Sequence, residues 1–256
     1  MTRLKIRQVL CHEDNYAVLL HDEKSGETLI VDTPEAGPIM EVLETEGWRL
    51  THILNTHHHH DHVEGNLALK EKYGARIHGP ALNREQIPGL DVALKDGDRI
   101  ALGEYRIDTI AVPGHTLGSV AFYVCDERIL FAGDTLFSLG CGRMFEGDAE
   151  TMWHSLDLLR HLPDETRLYC GHEYTLANGE FALTVEPGNA ALAERMEQVR
   201  KLTAEGKPTL PSTIAQEKAT NPFLRPESME IRKTLGMKAV ENWRVFGELR
   251  QRKDQF

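Results

Sequence analysis

One short segment limits what this chain can fold into more than any other part of its sequence: Thr56-His57-His58-His59-His60-Asp61-His62. Consecutive metal-capable side chains follow a short apolar run there, and four of them fit the pattern His-x-His-x-Asp-His. In an extended segment, residues two apart point to the same side, so His57 and His59 can reach one point in space. We expect His58 and His60 to face away from that point.

The end of the same segment predicts a second position at which a metal ion could bind. A helix-like pattern begins at Asp61, and a turn there would direct Asp61 and His62 towards a point close to the first. An expression tag does not explain a His run that lies inside the chain, between a strand-like and a helix-like segment. A surface tract that binds metal loosely remains the alternative for the run taken alone.

Three later loops each present a further ligand type directly after a predicted strand. His115 follows residues 105–112, Asp134 follows residues 129–132, and His172 follows residues 167–170. Taken singly, each has a simpler explanation, because histidines and aspartates are common in loops and turns. Together they repeat the order strand, glycine, ligand, and functional residues are normally placed on loops that a rigid scaffold positions.

The number of ligands predicts two metal ions. One ion would be bound by three imidazoles, and the other by two imidazoles and a carboxylate, with a further carboxylate bridging both. These are His57, His59 and His115 for the first ion, Asp61, His62 and His172 for the second, and Asp134 as the bridge. Such a nitrogen-rich set suits Zn²⁺, with Fe and Mn as alternatives where a carboxylate bridges.

Paired metals of this kind predict hydrolysis. Ions about 3.5–4 Å apart can share a water, acidify it and polarise a carbonyl together. Asp61 and Asp134 are then the candidate catalytic carboxylates beside the bridging hydroxide. Asp32, in Ile30-Val31-Asp32, has two open interpretations: a partner that orients a ligand histidine, or a turn residue before Pro34.

Composition restricts the partners. The net charge of −11 argues against general affinity for nucleic acids, which requires Lys and Arg to neutralise phosphates. Long apolar runs that would span a membrane are absent from the sequence, and residues 1–7 carry basic side chains without an apolar stretch behind them, so we expect a cytoplasmic protein. The cysteines show neither zinc-ribbon nor disulfide spacing, so reduced thiols are expected, with the roles of Cys141 and Cys170 open.

Turn signals divide the chain into strand-like and helix-like segments. Strands are predicted over residues 4–10, 16–21, 28–32, 52–55, 76–78, 99–102, 105–112, 120–124, 129–132 and 167–170. Helices are predicted over residues 39–46, 63–73, 149–162, 175–185, 190–205 and 238–252. We therefore expect a strand-rich domain over residues 1–172, which contains the metal site, and a helical domain over residues 173–256.

The metal motif, with its later partners at these intervals, resembles the metallo-β-lactamase superfamily. Further segments resemble the glyoxalase II (hydroxyacylglutathione hydrolase) family: Gly133-Asp134-Thr135-Leu136-Phe137, Gly140-Cys141-Gly142-Arg143, Phe145-Glu146-Gly147, Cys170-Gly171-His172-Glu173-Tyr174-Thr175, Val185-Glu186-Pro187-Gly188-Asn189, Asn221-Pro222-Phe223-Leu224-Arg225 and Arg252-Lys253-Asp254-Gln255-Phe256. The resemblance spans nearly the whole chain. It implies an α+β fold, a metallo-β-lactamase-like αβ/βα four-layer sandwich followed by a C-terminal helical domain that binds glutathione.

The resemblance also implies an activity. A protein of this family cleaves the thioester S-D-lactoylglutathione to D-lactate and glutathione with a metal-bridging hydroxide, as the second step of methylglyoxal detoxification. We expect a monomer that acts on this small molecule. The substrate contacts carried over from the family are Arg143, Met144, Phe145, His172, Tyr174, Arg250 and Lys253.

Two observations qualify these contacts. Position 145 is often Tyr in the family, so a hydroxyl contact is lost here and the role of Phe145 is open. Arg250, Arg252 and Lys253 form a basic cluster that suits the carboxylates of glutathione, although cations at a helix end are also favoured by the helix dipole.

Two alternatives remain, one within the superfamily and one from a different class. A glutathione persulfide dioxygenase resembles this chain in its His motifs but uses a single iron bound by two His and an Asp. A non-catalytic metal-binding protein would use the His cluster for binding alone. The C-terminal segment favours the hydrolase over the first, and ligands from several separate loops argue against the second.

Overall fold

The structure, a computed structural model, describes residues 4–256. Residues 1–3, part of the N-terminal segment considered above, lie outside the described residues. The chain forms two compact units, one of residues 4–111 with 118–133 and one of residues 112–117 with 134–256. The domain boundary at residue 172 stays a prediction.

The first unit contains most of the strands. They are β1 (Leu4–Cys11), β2 (Asn15–Asp22), β3 (Thr28–Val31), β4 (Leu50–Leu54), β5 (Arg76–Pro80), β6 (Val92–Leu94), β7 (Arg99–Leu102), β8 (Tyr105–Ala111), β9 (Val120–Val124) and β10 (Ile129–Phe131). Its α-helices are α1 (Ala36–Glu46), α2 (His60–Val63) and α3 (Asn66–Tyr73), and short 3-10 turns cover Ala81–Asn83 and Cys125–Glu127.

Strand pairing in this unit determines where the candidate ligands of the His segment leave the sheet. The strands β1 to β6 are hydrogen bonded in chain order, antiparallel from β1 to β3 and parallel from β3 to β6. Strands β7 to β10 pair antiparallel in sequence order. Because Val31 at the end of β3 pairs with Leu54 at the end of β4, the residues that follow both strands leave the sheet at the same edge.

A buried apolar core fixes this sheet. Ile39 and Leu43 of α1 and Leu69 of α3 are fully buried against a sheet face that includes Ile30 and Ile53. Full burial of each such side chain contributes roughly 1.5–3 kcal/mol. The sheet from which the His segment extends is therefore fixed by its buried core.

The second unit is mainly helical. Its helices are α4 (Ala149–Arg160), α5 (Thr175–Val185), α6 (Ala190–Ala204), α7 (Ile214–Thr220), α8 (Met229–Leu235) and α9 (Asn242–Gln255), with a 3-10 turn at Pro222–Leu224. Its strands are β11 (Leu136–Phe137) and β12 (Gly140–Cys141), which form a hairpin, and β13 (Arg167–Tyr169), which pairs antiparallel with β14 (Ser212–Thr213). Phe181, Phe223 and Phe246 are buried, and the Phe223 ring contacts both of the other rings.

Several short elements differ from the sequence prediction. The helix predicted over residues 63–73 begins only at Asn66, as α3, because the separate short helix α2 ends at Val63. The last helix begins at Asn242 rather than at residue 238. Strands β6, β11, β12 and β14 were not predicted, since two or three residues carry too little periodicity. Helices α7 and α8 were also missed, although Thr213 and Ser228 accept N-cap hydrogen bonds and are recognisable start signals.

The expectations on membrane-spanning segments and on cysteine oxidation can be compared with the fold. Within residues 4–256, we find no helix that combines the length and the apolar character needed to cross a membrane. All four cysteines are free thiols.

The paired histidines of β4 and β5 generate a prediction on pH. His52 Nδ1 lies 3.2 Å from His78 Nε2. Burial, with His52 and Arg76 nearby, lowers the pKa of His78 from 6.5 to about 4, which Asp91 only partly opposes. As the pH falls, His78 is therefore protonated at a higher pH in the unfolded chain than in the folded protein. The His78 contribution to stability is present above pH 6.5 and is lost towards pH 4, by up to about 3 kcal/mol.

Urea unfolding at pH 7.5 and pH 5 measures this difference. We expect His78→Leu to lose less stability between the two pH values than the wild type does. His154→Leu, at an exposed position of α4, is the matched control and should keep the wild-type difference. An unchanged pH dependence in His78→Leu would contradict the assignment.

Candidate metal centre and substrate subsite

The carboxylate of Asp32 organises the ligand segment of the first unit. Asp32 follows β3, is 2% exposed and has a φ of 57°, a conformation that Asp and Asn adopt more readily than most residues. Its Oδ1 accepts a hydrogen bond from the Thr56 backbone N–H at 2.8 Å, and its Oδ2 accepts one from Thr56 Oγ1 at 2.8 Å. The start of the His segment is thereby fixed to the neighbouring strand end.

The same carboxylate orients two imidazoles. His62 Nδ1 lies 2.9 Å from Asp32 Oδ2, and His57 Nδ1 lies 3.1 Å from Thr56 Oγ1. Because Nδ1 is engaged in both rings, Nε2 is the nitrogen that each ring could offer to a metal ion. Of the two interpretations left open by the sequence, Asp32 has the role of a partner to a candidate ligand histidine.

The donor atoms of this segment have the spacing of metal ligands. His57 Nε2 lies 3.1 Å from His59 Nδ1, and two nitrogens that share a tetrahedral Zn²⁺ would lie about 3.4 Å apart. Asp61 Oδ2 lies 3.7 Å from His62 Nε2, beyond the range of a hydrogen bond. His57 and His62 also offer donor atoms within 4.8 Å of each other.

Asn15 holds Asp61 and was not identified from the sequence. Its Nδ2 donates to both the backbone carbonyl and the Oδ2 atom of Asp61, each at 3.1 Å, and Asn15 is only 5% exposed. The two residues are 46 positions apart. No local pattern links them, so the contact becomes visible only in the folded unit.

The two other histidines of the run lie differently. The His60 side chain is 82% exposed, with Nδ1 3.4 Å from Glu64 Oε2. The His58 ring packs against the His59 ring at a centroid distance of 5.1 Å. That His58 and His60 do not coordinate stays a prediction.

In the second unit, Asp134 lies between two candidate ligand histidines. Asp134 Oδ2 is 3.6 Å from His115 Nε2 and 3.4 Å from His172 Nε2, and all three residues are buried. His115 Nδ1 lies 2.7 Å from the Arg143 carbonyl oxygen, so Nε2 is the nitrogen directed towards Asp134. A Cβ at Gly142 would lie 1.9 Å from the Asp134 carbonyl oxygen, so only glycine fits there.

Aromatic rings flank these histidines. Tyr174 stacks on His172 with ring centroids 4.7 Å apart and an interplanar angle of 5°. Phe137 packs edge-on against Tyr174 at 5.5 Å. Phe145 is 63% exposed and contacts His115 edge-on at 5.3 Å. Tyr174 and Phe145 thus present ring surface beside candidate metal ligands.

Of the three cationic side chains predicted to contact the substrate, one is buried and two are accessible to solvent. Arg250 is 4% exposed and donates from Nη1 to the Cys141 carbonyl oxygen at 2.8 Å. The Arg143 side chain is 66% exposed, and its Nε lies 3.6 Å from Asp254 Oδ1. Lys253 is half-buried, and burial, with Arg250 and Arg143 nearby, lowers its pKa.

Other predicted residues have clear positions. Met144 is half-buried in the loop between Arg143 and Phe145. Arg252 pairs with Glu248 at 2.8 Å. Burial raises the pKa of Cys141 to about 11, although Arg250 opposes it, and burial also raises the pKa of Cys170, so neither thiol ionises readily.

Comparison with known proteins finds matches along nearly the whole chain. Residues 14–172 match the metallo-beta-lactamase superfamily, and residues 173–256 match the hydroxyacylglutathione hydrolase C-terminus. The chain is 57% identical over 253 residues to a hydroxyacylglutathione hydrolase of Methylococcus capsulatus, covering 99% of each protein. It is 50% identical over 256 residues to one of Rhizobium meliloti, covering 100% of each.

The fold is similar to solved structures as well. The B3 metallo-beta-lactamase BLEG-1 superposes with a TM-score of 0.68 at 22% sequence identity, covering 86% of this chain and 100% of that one. This similarity shows the fold alone.

The metallo-β-lactamase fold and the hydrolase class predicted from the sequence are confirmed. The fold and the buried imidazole and carboxylate donors indicate a site for divalent metal. Since full-length relatives and both matched segments agree, the chain belongs to the hydroxyacylglutathione hydrolase (glyoxalase II) family of the metallo-β-lactamase superfamily.

Proposed function

We propose that this protein hydrolyses S-D-lactoylglutathione to D-lactate and glutathione. The observation that carries the proposal is the flat stack of Tyr174 on His172. His172 is a candidate metal ligand, and the Tyr174 ring stacked on it offers a surface against which a substrate can pack. The same unit also carries the accessible cations Arg143 and Lys253. The names of the full-length relatives support the same substrate class.

The proposed metal centre contains two ions, with Zn²⁺ favoured and Fe or Mn as alternatives. His57, His59 and His115 would hold one ion; Asp61, His62 and His172 would hold the other; Asp134 would bridge them. The donor types and the spacing within each unit support this assignment. Bound there, the ions would lower the pKa of a water and polarise the thioester carbonyl.

Residues of the chain position the reacting groups. Asn15 holds the Asp61 carboxylate through a hydrogen bond to Oδ2. That carboxylate would accept a hydrogen bond from the water that the ions acidify, and would so orient the water towards the carbonyl carbon. His57 and His62, held through Thr56 and Asp32, keep their Nε2 atoms in a fixed orientation. The departing thiol of glutathione has a pKa of about 8.5 if it behaves like cysteine, so it leaves without a strong general acid.

The glutathione moiety is held in the second unit. Arg143 and Lys253 bind its carboxylates, and Tyr174 and Phe145 pack against its apolar parts. Met144 lies in the loop between Arg143 and Phe145. Arg250 is buried against the Cys141 carbonyl, so we assign it mainly to fixing this loop. The net charge of −11 makes such a local cationic cluster necessary for an anionic substrate.

We further propose a cytoplasmic monomer that binds neither nucleic acid nor membrane. The acidic balance of charge supports the absence of a nucleic-acid partner. Of the alternatives, the persulfide dioxygenase with a single iron is disfavoured because residues 173–256 match the hydroxyacylglutathione hydrolase C-terminus. A metal-storage protein would have no use for the aromatic and cationic groups beside the ligands.

For the proposed function, the first prediction concerns metal content and turnover. Metal analysis of the purified protein should give two divalent ions per chain, and thiol release from S-D-lactoylglutathione should cease on treatment with a chelator and return with added Zn²⁺. One iron per chain, with oxygen consumption on glutathione persulfide and no thioester cleavage, would support the dioxygenase instead. Bound metal without either activity would support the storage protein.

The second prediction concerns the cations. Arg143→Ala and Lys253→Ala should each raise KM for the thioester about tenfold, because each loses a charge-assisted contact to a carboxylate, with kcat changed much less. Arg252→Ala is the matched control on α9, since Arg252 pairs with Glu248. If KM in the first two variants equals that of the control, these cations do not hold the substrate.

The third prediction concerns Asp32. Asp32→Asn keeps the size and tolerates the same backbone conformation, but one amide cannot accept all the hydrogen bonds that the carboxylate receives. Loss of this support should weaken metal affinity about 10- to 100-fold, measured by competition with a chromophoric chelator. Asp126→Asn, at an exposed position of the same unit, should leave the affinity unchanged.

A further inference from the structure

A buried acid that takes no part in the proposed chemistry contacts the loop that precedes the substrate subsite. Glu217 of α7 is fully buried, and its Oε2 accepts a hydrogen bond from the Leu139 backbone N–H at 2.7 Å. Desolvation raises the pKa of Glu217 above its ordinary value, against hydrogen bonds from Ser212, Leu139 and Asn221. A buried carboxyl of this kind is costly, so its contacts indicate what it stabilises.

Leu139 needs this support. It lies in the two-residue turn between β11 and β12 and has a φ of 58°, where hairpin turns favour Gly or Asn. Its side chain is fully buried with Ala182 of α5 and Met196 of α6. Packing of the side chain and capture of the backbone N–H together hold leucine in a conformation that its Cβ disfavours.

Two asparagines hold the rest of the same turn. Asn221 donates to the carbonyl oxygens of Phe137 at 3.1 Å and Gly140 at 2.9 Å, and also to Glu217 Oε2 at 3.1 Å. Asn178 of α5 donates to the Ser138 carbonyl oxygen at 3.2 Å. Each of residues 137–140, the turn and its two flanking positions, thus has a backbone group bonded to a buried side chain. We call Glu217, Asn221 and Asn178 the turn clamp.

The hairpin carries substrate-subsite groups on both sides. Phe137, at the end of β11, packs against Tyr174 and His172. Cys141, in β12, accepts the Arg250 hydrogen bond, and the chain then continues to Arg143. A shift of the turn would move both the aromatic support and the cationic loop.

We propose that the turn clamp, and Glu217 in particular, is a positioning device that sets the affinity of the substrate subsite for glutathione. The inference rests on the proposed function. Glu217 touches no reacting atom, and it acts through the backbone of residues 137–140. Its loss should therefore act on KM and leave kcat and metal content nearly unchanged.

Kinetics of S-D-lactoylglutathione cleavage test this. Glu217→Leu should raise KM about tenfold with kcat within about threefold, whereas Glu217→Gln, which keeps an acceptor for the Leu139 N–H, should remain near the wild type. Glu186→Leu is the matched control, because Glu186 is a buried acid of the same unit that pairs with Arg225 at 2.8 Å. It should lower stability without raising KM.

A milder variant covers the case in which Glu217→Leu does not fold. Asn178→Ala removes one hydrogen bond of the clamp and should raise KM by about threefold. Equal KM values in Glu217→Leu, Asn178→Ala and Glu186→Leu would overturn the proposal, as would a fall in kcat with unchanged KM.

Amide hydrogen exchange distinguishes this proposal from the proposed function. Exchange at residues 137–142 of the free protein should accelerate in Asn178→Ala and Glu217→Leu but not in Glu186→Leu. If the wild type does not cleave the thioester, the proposed function fails, yet exchange still reports on the clamp. Unchanged exchange at residues 137–142 would overturn the clamp whatever the activity.

Discussion

The hydrogen bonds received by the Asp32 carboxylate are the interaction on which the candidate ligand segment depends. They join the end of β3 to Thr56 and, through Thr56 and His62, fix the imidazoles that present Nε2. Charge-assisted hydrogen bonds of this kind are stronger than neutral ones, and burial strengthens them further. The parallel pairing of β3 with β4 makes the arrangement possible, because both strands end at the same edge of the sheet.

The second unit holds its substrate subsite rigid in a different way. Instead of a regular strand end, it has a two-residue turn in which leucine occupies a conformation typical of glycine. Buried polar side chains hold the backbone of that turn, and the hairpin carries Phe137 to the stacked rings of His172 and Tyr174. Rigid support from partners outside the site is what a substrate subsite requires, since small displacements weaken binding and catalysis.

Much of the fold was predictable because long elements have clear patterns. The buried run of β3, the stripe of α6 between its Asn189 cap and Gly206, and the stop of α1 at Gly47 are local signals. The two-residue strands were not predictable: β11 and β12 are too short to show a period, and β14 depends on pairing with β13, which lies far away along the chain. Helix α8 was within reach, because Ser228 is a recognisable cap.

The sequence by itself determined the donor types, their spacing in the His-x-His-x-Asp-His segment, the family and the cations near the C-terminus, because these depend on residue identity and order. Only the tertiary structure decided which groups support them. Asn15 reaches Asp61 across 46 positions, Glu217 reaches Leu139 across 78, and Arg250 proves to be buried while Arg143 is exposed. Such contacts follow from the packing of distant segments and leave no local pattern in the sequence.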